Sequence, residues 1–207
     1  VSMEKTTRPI KQRSMAELLG DRKLILASRS PRRADILRRE NMEFVVRIPP
    51  DVEGGEASSD PAQYVLSLSR RKAASIAKEV ENAIVLGADT IVVLDGEILG
   101  KPQDRENAFS ILKKLSGRTH RVYTGVTLVN KYNGKVVSDY DVTEVKFNQL
   151  DDEKIWAYID TKEPMDKAGA YGIQGMGGFL VESIQGSLDN VIGLPTGKLK
   201  EMLAEII

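Results

Sequence analysis

The stretch that most narrows what this chain can fold into is Ala-Ile-Val-Leu-Gly-Ala-Asp-Thr-Ile-Val-Val-Leu94. A run so continuously apolar belongs to a strand in the middle of a sheet, with both faces covered. Asp95-Gly96 follows as a hairpin turn into residues 97–99. Upstream, residues 23–27 form a second apolar strand that breaks at Ser28-Arg29-Ser30 and restarts as a helix over 31–40. Pro31 suits the first position of that helix and Ser30 suits its cap. Further helices are predicted from Asp60-Pro61, with Val65, Leu68, Ile76 and Val80 at mostly helical spacing, from Asp104, from Asp151, and over 195–207. Strands are predicted at 44–48, 121–129, 136–147 and 179–184, the middle pair joined at Asn133-Gly134. Strands and helices alternate early and hairpins appear mid-chain. The fold class is therefore α/β, a mixed twisted sheet with helices on both faces.

Composition enters by exclusion. Thirty Lys or Arg balance thirty Asp or Glu, and aromatics make up 5%, so neither nucleic acid nor an anionic membrane is an expected partner. With no cysteine, disulfides, thiolate metal sites and a Cys nucleophile are excluded. No apolar run approaches the roughly 20 residues of a membrane span, and the N-terminus lacks the apolar core of a secretory signal. A cytoplasmic setting is expected. Charge is uneven along the chain: residues 1–39 hold eleven Lys or Arg against four acids. Residues 1–22 read as an N-terminal extension, expected to be disordered, and 23–207 as a single domain.

The rest of that basic surplus surrounds the first strand-to-helix turn. A strand running into a helix start offers backbone donors and a dipole that favours an anion. Arg29, Arg32 and Arg33 add guanidinium forks that match phosphate oxygens. Locally, a capped surface helix with solvated arginines fits equally well. Asp89 interrupts the most apolar strand, where a carboxylate is costly unless paired, hydrogen-bonded or metal-bound. The bland alternative is a kink at Gly87 that lets Asp89 reach solvent. Lys72 falls on the apolar stripe of its helix, either snorkelling or reaching a buried site. Lys101 sits in the turn Gly-Lys-Pro102, and the lone His120 reads as structural or exposed. The glycine-bearing loop 162–178 offers Tyr171 as a stacking face. It also offers Gln174, whose amide can match the edge of uracil or thymine and, if flipped, cytosine.

Taken together, Leu-Ala-Ser-Arg-Ser-Pro-Arg-Arg33, Leu-Gly-Ala-Asp-Thr90, Gly-Lys-Pro102, His-Arg-Val-Tyr-Thr-Gly125 and Asp-Lys-Ala-Gly-Ala-Tyr-Gly-Ile-Gln-Gly175 resemble the Maf family of nucleoside triphosphate pyrophosphatases. The resemblance runs from about Leu24 to the C-terminus. It implies an elongated α/β fold with a central cleft, similar to the inosine triphosphate pyrophosphatases. It also implies a cytosolic homodimer, a divalent cation (Mg2+ or Mn2+), and hydrolysis of dTTP and UTP to the monophosphate and pyrophosphate, with modified pyrimidine nucleotides as further candidate substrates. By the same resemblance Asp89 is the catalytic proton acceptor. Arg32, Thr90 and Gln174 influence substrate choice, and Arg33, Lys72 and Lys101 match basic positions of the cleft. With Ser28 these are the substrate-binding candidates, and Glu53, which matches an acidic position, and Asp89 are the metal candidates. The choice of Asp89 as base or metal ligand stays open. A non-hydrolytic nucleotide-binding regulator linked to cell division is the alternative. A nucleotidyltransferase would carry a Gly-rich loop at residues 28–33, which this sequence lacks.

Overall fold

The computed structural model describes residues 9, 12–50 and 59–207. Among these, seven strands form one mixed sheet organised on β3 (Ile84–Leu94), which is buried throughout except at half-buried Asp89 and Thr90. β5 (Thr119–Asn130) runs antiparallel along one edge of β3, from Ile84↔Asn130 to Val93↔Arg121. The other edge is shared. β1 (Leu24–Ala27) pairs parallel as far as Ala27↔Gly87, and β4 (Glu97–Leu99) pairs antiparallel from Val92↔Leu99 onward. Residues 88–91 therefore have a strand on one side only. β2 (Val45–Arg47) lies outside β1, while β6 (Val136–Phe147) and β7 (Val181–Gln185) extend the sheet beyond β5.

Local chemistry places three of the helices where the sequence predicts them. Asp60 caps α3 (Pro61–Ala77) by accepting from the Ala62 N–H, Asp104 caps α4 (Arg105–Leu115) at the Asn107 N–H, and Asp151 caps α5 (Asp152–Asp160) at the Lys154 N–H. Asp95 and Gly96 both adopt positive φ, 51° and 82°, as a two-residue hairpin turn requires. In the second hairpin only Gly134 of the Asn-Gly pair is left-handed, φ 78°, so that connection is a longer loop.

One face of the sheet is covered by α3. Its Ala73, Ile76 and Ala77 pack on Ile25, Ala27 and Val85, and its Val65 packs on Ile91 and Val93. The opposite face carries two separate clusters. In the first, α1 (Met15–Leu19), α2 (Pro31–Arg39), α6 (Leu188–Ile192) and α7 (Thr196–Ile206) bury Leu26, Leu86 and Ala88. In the second, α4, α5 and the following 3-10 turns bury Val92, Leu94 and Phe147. A cleft lies between them, over the part of β3 that lacks a neighbour.

Two expectations need correction. The extension read as a disordered tail contains α1, closed by a Ser14/Glu17 capping box, with Met15, Leu18 and Leu19 buried at 4%, 7% and 3% exposure. Burying three such side chains contributes about 1.5–3 kcal/mol each, enough to fold a helix too short to stand alone. The stretch 175–180, partly predicted as strand, is instead a 3-10 turn, and β7 begins at Val181.

Candidate active site

α3 lies close against the sheet because the residues beneath it are glycines. A Cβ at Gly87 would stand 2.5 Å from the Ser69 carbonyl oxygen, and one at Gly125 would stand 2.4 Å from the Val65 carbonyl oxygen. Gly125 is also the residue directly opposite Asp89 in the β3–β5 ladder, which runs without a bulge. There is thus no kink at Gly87. The glycine makes room for the helix, and the close approach brings the Lys72 ammonium within 2.5 Å of the Asp89 carboxylate. The carboxylate in the apolar strand is tolerated because it is paired. Asp89 Oδ2 has no further partner among the described residues.

The strand-to-helix turn differs in detail from expectation. Ser30 occupies the cap position of α2 but makes no capping hydrogen bond. Buried Ser28 takes over: its Oγ accepts from the Ser30 N–H at 3.1 Å and from Arg33 at 3.0 Å. Both acceptor sites are then filled, which leaves the Ser28 hydroxyl proton to donate toward the cleft. Arg33 is itself a brace. Its other nitrogens donate to the Gly193 carbonyl at 2.8 Å and to Thr90 Oγ1 at 3.0 Å. Burial pulls the guanidinium down to about 10, with the nearby Asp89 charge opposing that pull.

Thr90 completes the relay with a defined polarity. Thr124 spends its only proton on the Asn190 carbonyl at 3.0 Å, so in the 2.9 Å contact between the two threonines Thr90 is the donor. Thr90 consequently presents acceptor capacity, and no proton, to anything bound beside it.

The cleft has a volume of about 670 Å³, and Ser28, Arg32, Arg33, Lys72, Asp89, Thr90, Lys101 and Gln174 all line it. Glu53 lies outside the described residues. Arg29 and Lys167 also line the cleft, as does Asp166. Six cations against two carboxylates among the described lining residues favour a polyanionic ligand. Asp166 and Lys167 belong to the 166–175 motif, but nothing in their residue types assigns them a role. They form a 2.8 Å ion pair at the cleft wall. Gln174 is exposed at the cleft edge, and its side chain bonds to no other described residue.

Tyr171 is not a free stacking face. It is 6% exposed, its ring meets Phe147 and His120 edge-on, and its hydroxyl lies 2.7 Å from His120 Nε2. Burial pushes the His120 imidazole down to about 4, the mark of a structural histidine held neutral. An unfolded chain binds this proton near the usual 6.5 and the folded chain refuses it until about 4. Stability is therefore full above about pH 6.5 and falls as pH drops toward 4, by about 3 kcal/mol in all. Urea unfolding midpoints at pH 7, 6 and 5 should fall more steeply for the native chain than for His120→Gln. Parallel slopes would remove His120 as the source.

These features can be set beside known proteins. A family model described as Maf-like protein matches residues 23–206. A dTTP/UTP pyrophosphatase of Thermoanaerobacter sp. (strain X514) is 50% identical over 182 residues, covering 87% of this chain and 95% of that protein. One from Clostridium perfringens (strain 13 / Type A) is 50% identical over 183 residues, with the same coverage of 87% and 95%. One from Carboxydothermus hydrogenoformans is 46% identical over 183 residues, covering 88% and 98%.

Proposed function

The chain belongs to the Maf-like protein family, and we infer that it hydrolyses dTTP and UTP to the monophosphate and pyrophosphate, as nucleotide-pool housekeeping. The observation that carries the mechanism is the Lys72–Asp89 pair, set in a cleft lined mainly by cations. Water attacks the α-phosphorus, the α–β anhydride bond breaks, and pyrophosphate leaves with the pair of electrons. Asp89 either takes the proton of the attacking water or would hold the divalent cation that eases its release to solvent. Lys72 holds that carboxylate in place and adds charge beside the reacting phosphoryl group. Arg32 and Lys101 neutralise the triphosphate, and the free proton of Ser28 donates to a phosphate oxygen. Such chemistry depends mostly on positioning and charge stabilisation. Thr90 and Gln174 set substrate choice, Gln174 through the uracil or thymine edge, and Arg33 keeps Ser28 and Thr90 in register.

The donor set also fits a divalent cation of the magnesium kind. Among the described residues no group of three His, Asp or Glu forms a cage. Mg2+ keeps several waters and binds through one or two carboxylates plus substrate phosphates, which suits Asp89 Oδ2. Asp89 would hold the ion, joined by Glu53 if the family resemblance extends to that loop. A bound cation supplies Lewis-acid polarisation of the phosphoryl oxygens. Residues 23–207 act as one catalytic domain in this reading. A homodimer and a cytoplasmic setting belong to it as well, on the resemblance alone. No helix among the described residues is long and apolar enough to cross a membrane.

The test is product analysis over canonical and modified nucleoside triphosphates with Mg2+ or Mn2+. Equal amounts of pyrophosphate and monophosphate are expected from dTTP and UTP, with purine triphosphates left largely intact. Tight nucleotide binding without pyrophosphate release would overturn the reading.

A further inference from the structure

The segment that carries Gln174 to the cleft is built around one carboxylate that is not among the residues assigned above. Glu163 follows Lys162, a non-glycine residue with φ 64°, and opens the first of three successive 3-10 turns. Its Oε1 accepts from the Tyr158 hydroxyl at 2.9 Å and from the Gly177 N–H at 3.2 Å. Its Oε2 accepts from the Met176 N–H at 3.2 Å. The Tyr158 hydroxyl in turn accepts from the Gly172 N–H at 3.1 Å. Gly172 lies two residues before Gln174, and Met176 and Gly177 lie two and three residues after it. One carboxylate thus fastens both sides of the turn at whose apex Gln174 stands.

Three glycines make this enclosure possible. A Cβ at Gly175 would stand 3.1 Å from Glu163 Oε2, and one at Gly172 would stand 3.5 Å from Oε1. A Cβ at Gly177 would meet the Gly172 carbonyl oxygen at 2.1 Å and the Tyr158 hydroxyl at 2.7 Å. Lys167 adds a further tie by donating to the Glu163 backbone carbonyl at 2.7 Å. The Gln174 side chain bonds to no other described residue, so it is held only through its backbone. A flexible amide reads a base edge poorly, since the ordering entropy is then lost on binding. Charge-assisted hydrogen bonds to backbone N–H groups are among the stronger ways to order such a turn.

The geometry points to Glu163 as a positioning residue for base selection: it orders the turn that presents Gln174 to the pyrimidine. This rests on the reading of Gln174 as the base-recognising amide. Glu163→Gln keeps the shape but turns one oxygen into a donor facing N–H and O–H donors, so at least one of the three bonds is lost. The expected result is a roughly tenfold loss in kcat/KM for dTTP and UTP, mostly in KM, with discrimination against CTP falling toward the level of Gln174→Ala. In the Gln174→Ala background, Glu163→Gln should cost little more. That non-additivity is what a purely structural role would not produce.

Tyr158→Phe serves as the milder variant. It removes the hydroxyl that joins Glu163 to Gly172 but leaves the Glu163 bonds to the Met176 and Gly177 N–H groups, so it should move discrimination the same way by less, with a thermal melt confirming that it folds. If Gln174→Ala alters the pyrimidine profile while both other variants leave it unchanged, the positioning role is overturned and the base-reading role stands. Equal losses for every nucleotide, additive with Gln174→Ala, would also overturn the positioning role. If Gln174→Ala itself leaves the profile unchanged, the base-reading role fails and the proposal fails with it.

Discussion

Asp89→Asn should lower kcat for dTTP by about 10²–10⁴-fold, the range that a positioned general base contributes, and do so with either magnesium or manganese. The substitution is nearly isosteric. An asparagine carbonyl still accepts from Lys72, 2.5 Å away in the native pair, so the close approach of α3 to β3 persists. What disappears is the negative charge and the capacity to take a proton. The pair is part-buried, with side chains 23% exposed for Lys72 and 15% for Asp89, so the ammonium stays hydrogen-bonded to the amide and the loss of stability is modest. The loss should therefore fall in kcat, with KM nearly unchanged and the melting temperature close to that of the native chain. Turnover near the native level would remove Asp89 both as base and as metal ligand. A large rise in KM at constant kcat would show instead that Asp89 acts in ground-state binding.

That Asp89 was visible in the sequence follows from its surroundings. A carboxylate inside an apolar strand must have a partner, and the local pattern of 84–94 makes the strand plain. The caps at Asp60, Asp104 and Asp151 were legible for the same reason, since each satisfies a helix terminus within three residues. The partner of Asp89 was less legible. Lys72 lies 17 residues away, and only the depth at which α3 sits on the sheet decides whether a lysine on the apolar stripe snorkels or reaches the carboxylate. The cap of α2 was legible in position but not in bonding. Ser30 stands at the cap without a side-chain bond, while its own N–H and the buried Arg33 both turn to Ser28, a contact that only the folded turn creates. Tyr171 misled because an aromatic among glycines suggests an open ring, whereas its hydroxyl is committed to His120, 51 residues away in the chain. α1 was not legible because five residues in a charged segment carry little periodic signal. Its burial comes from contacts with the far end of the chain.

Gly125→Ala tests whether the depth of α3 is what assembles the site. Neither Gly87 nor Gly125 adopts a left-handed φ, so alanine suits both backbones and only space is at issue. At Gly125 the added methyl would meet the Val65 carbonyl oxygen at 2.4 Å, the Val65 carbonyl carbon at 2.6 Å and the Leu66 nitrogen at 3.0 Å. All three are backbone atoms of a helix and cannot rotate away, so α3 must lift by about 1 Å to restore ordinary contact. Overpacking of this kind costs about 1–3 kcal/mol, and a clash against rigid backbone belongs at the upper end. The lift occurs beside Asp89, the ladder partner of Gly125, and carries Lys72 outward with the helix. Misplacing a catalytic group by about 1 Å can cost on the order of 10²-fold in rate. Gly125→Ala should thus lower both the melting temperature and kcat. Gly87→Ala, whose Cβ would meet Ser69 and Ala73 further along α3, should cost similar stability. If Gly125→Ala melts well below the native chain yet turns over at the native rate, the Lys72–Asp89 contact does not depend on how deeply α3 is seated. Equal melting temperatures would mean that the helix has room the close contacts deny.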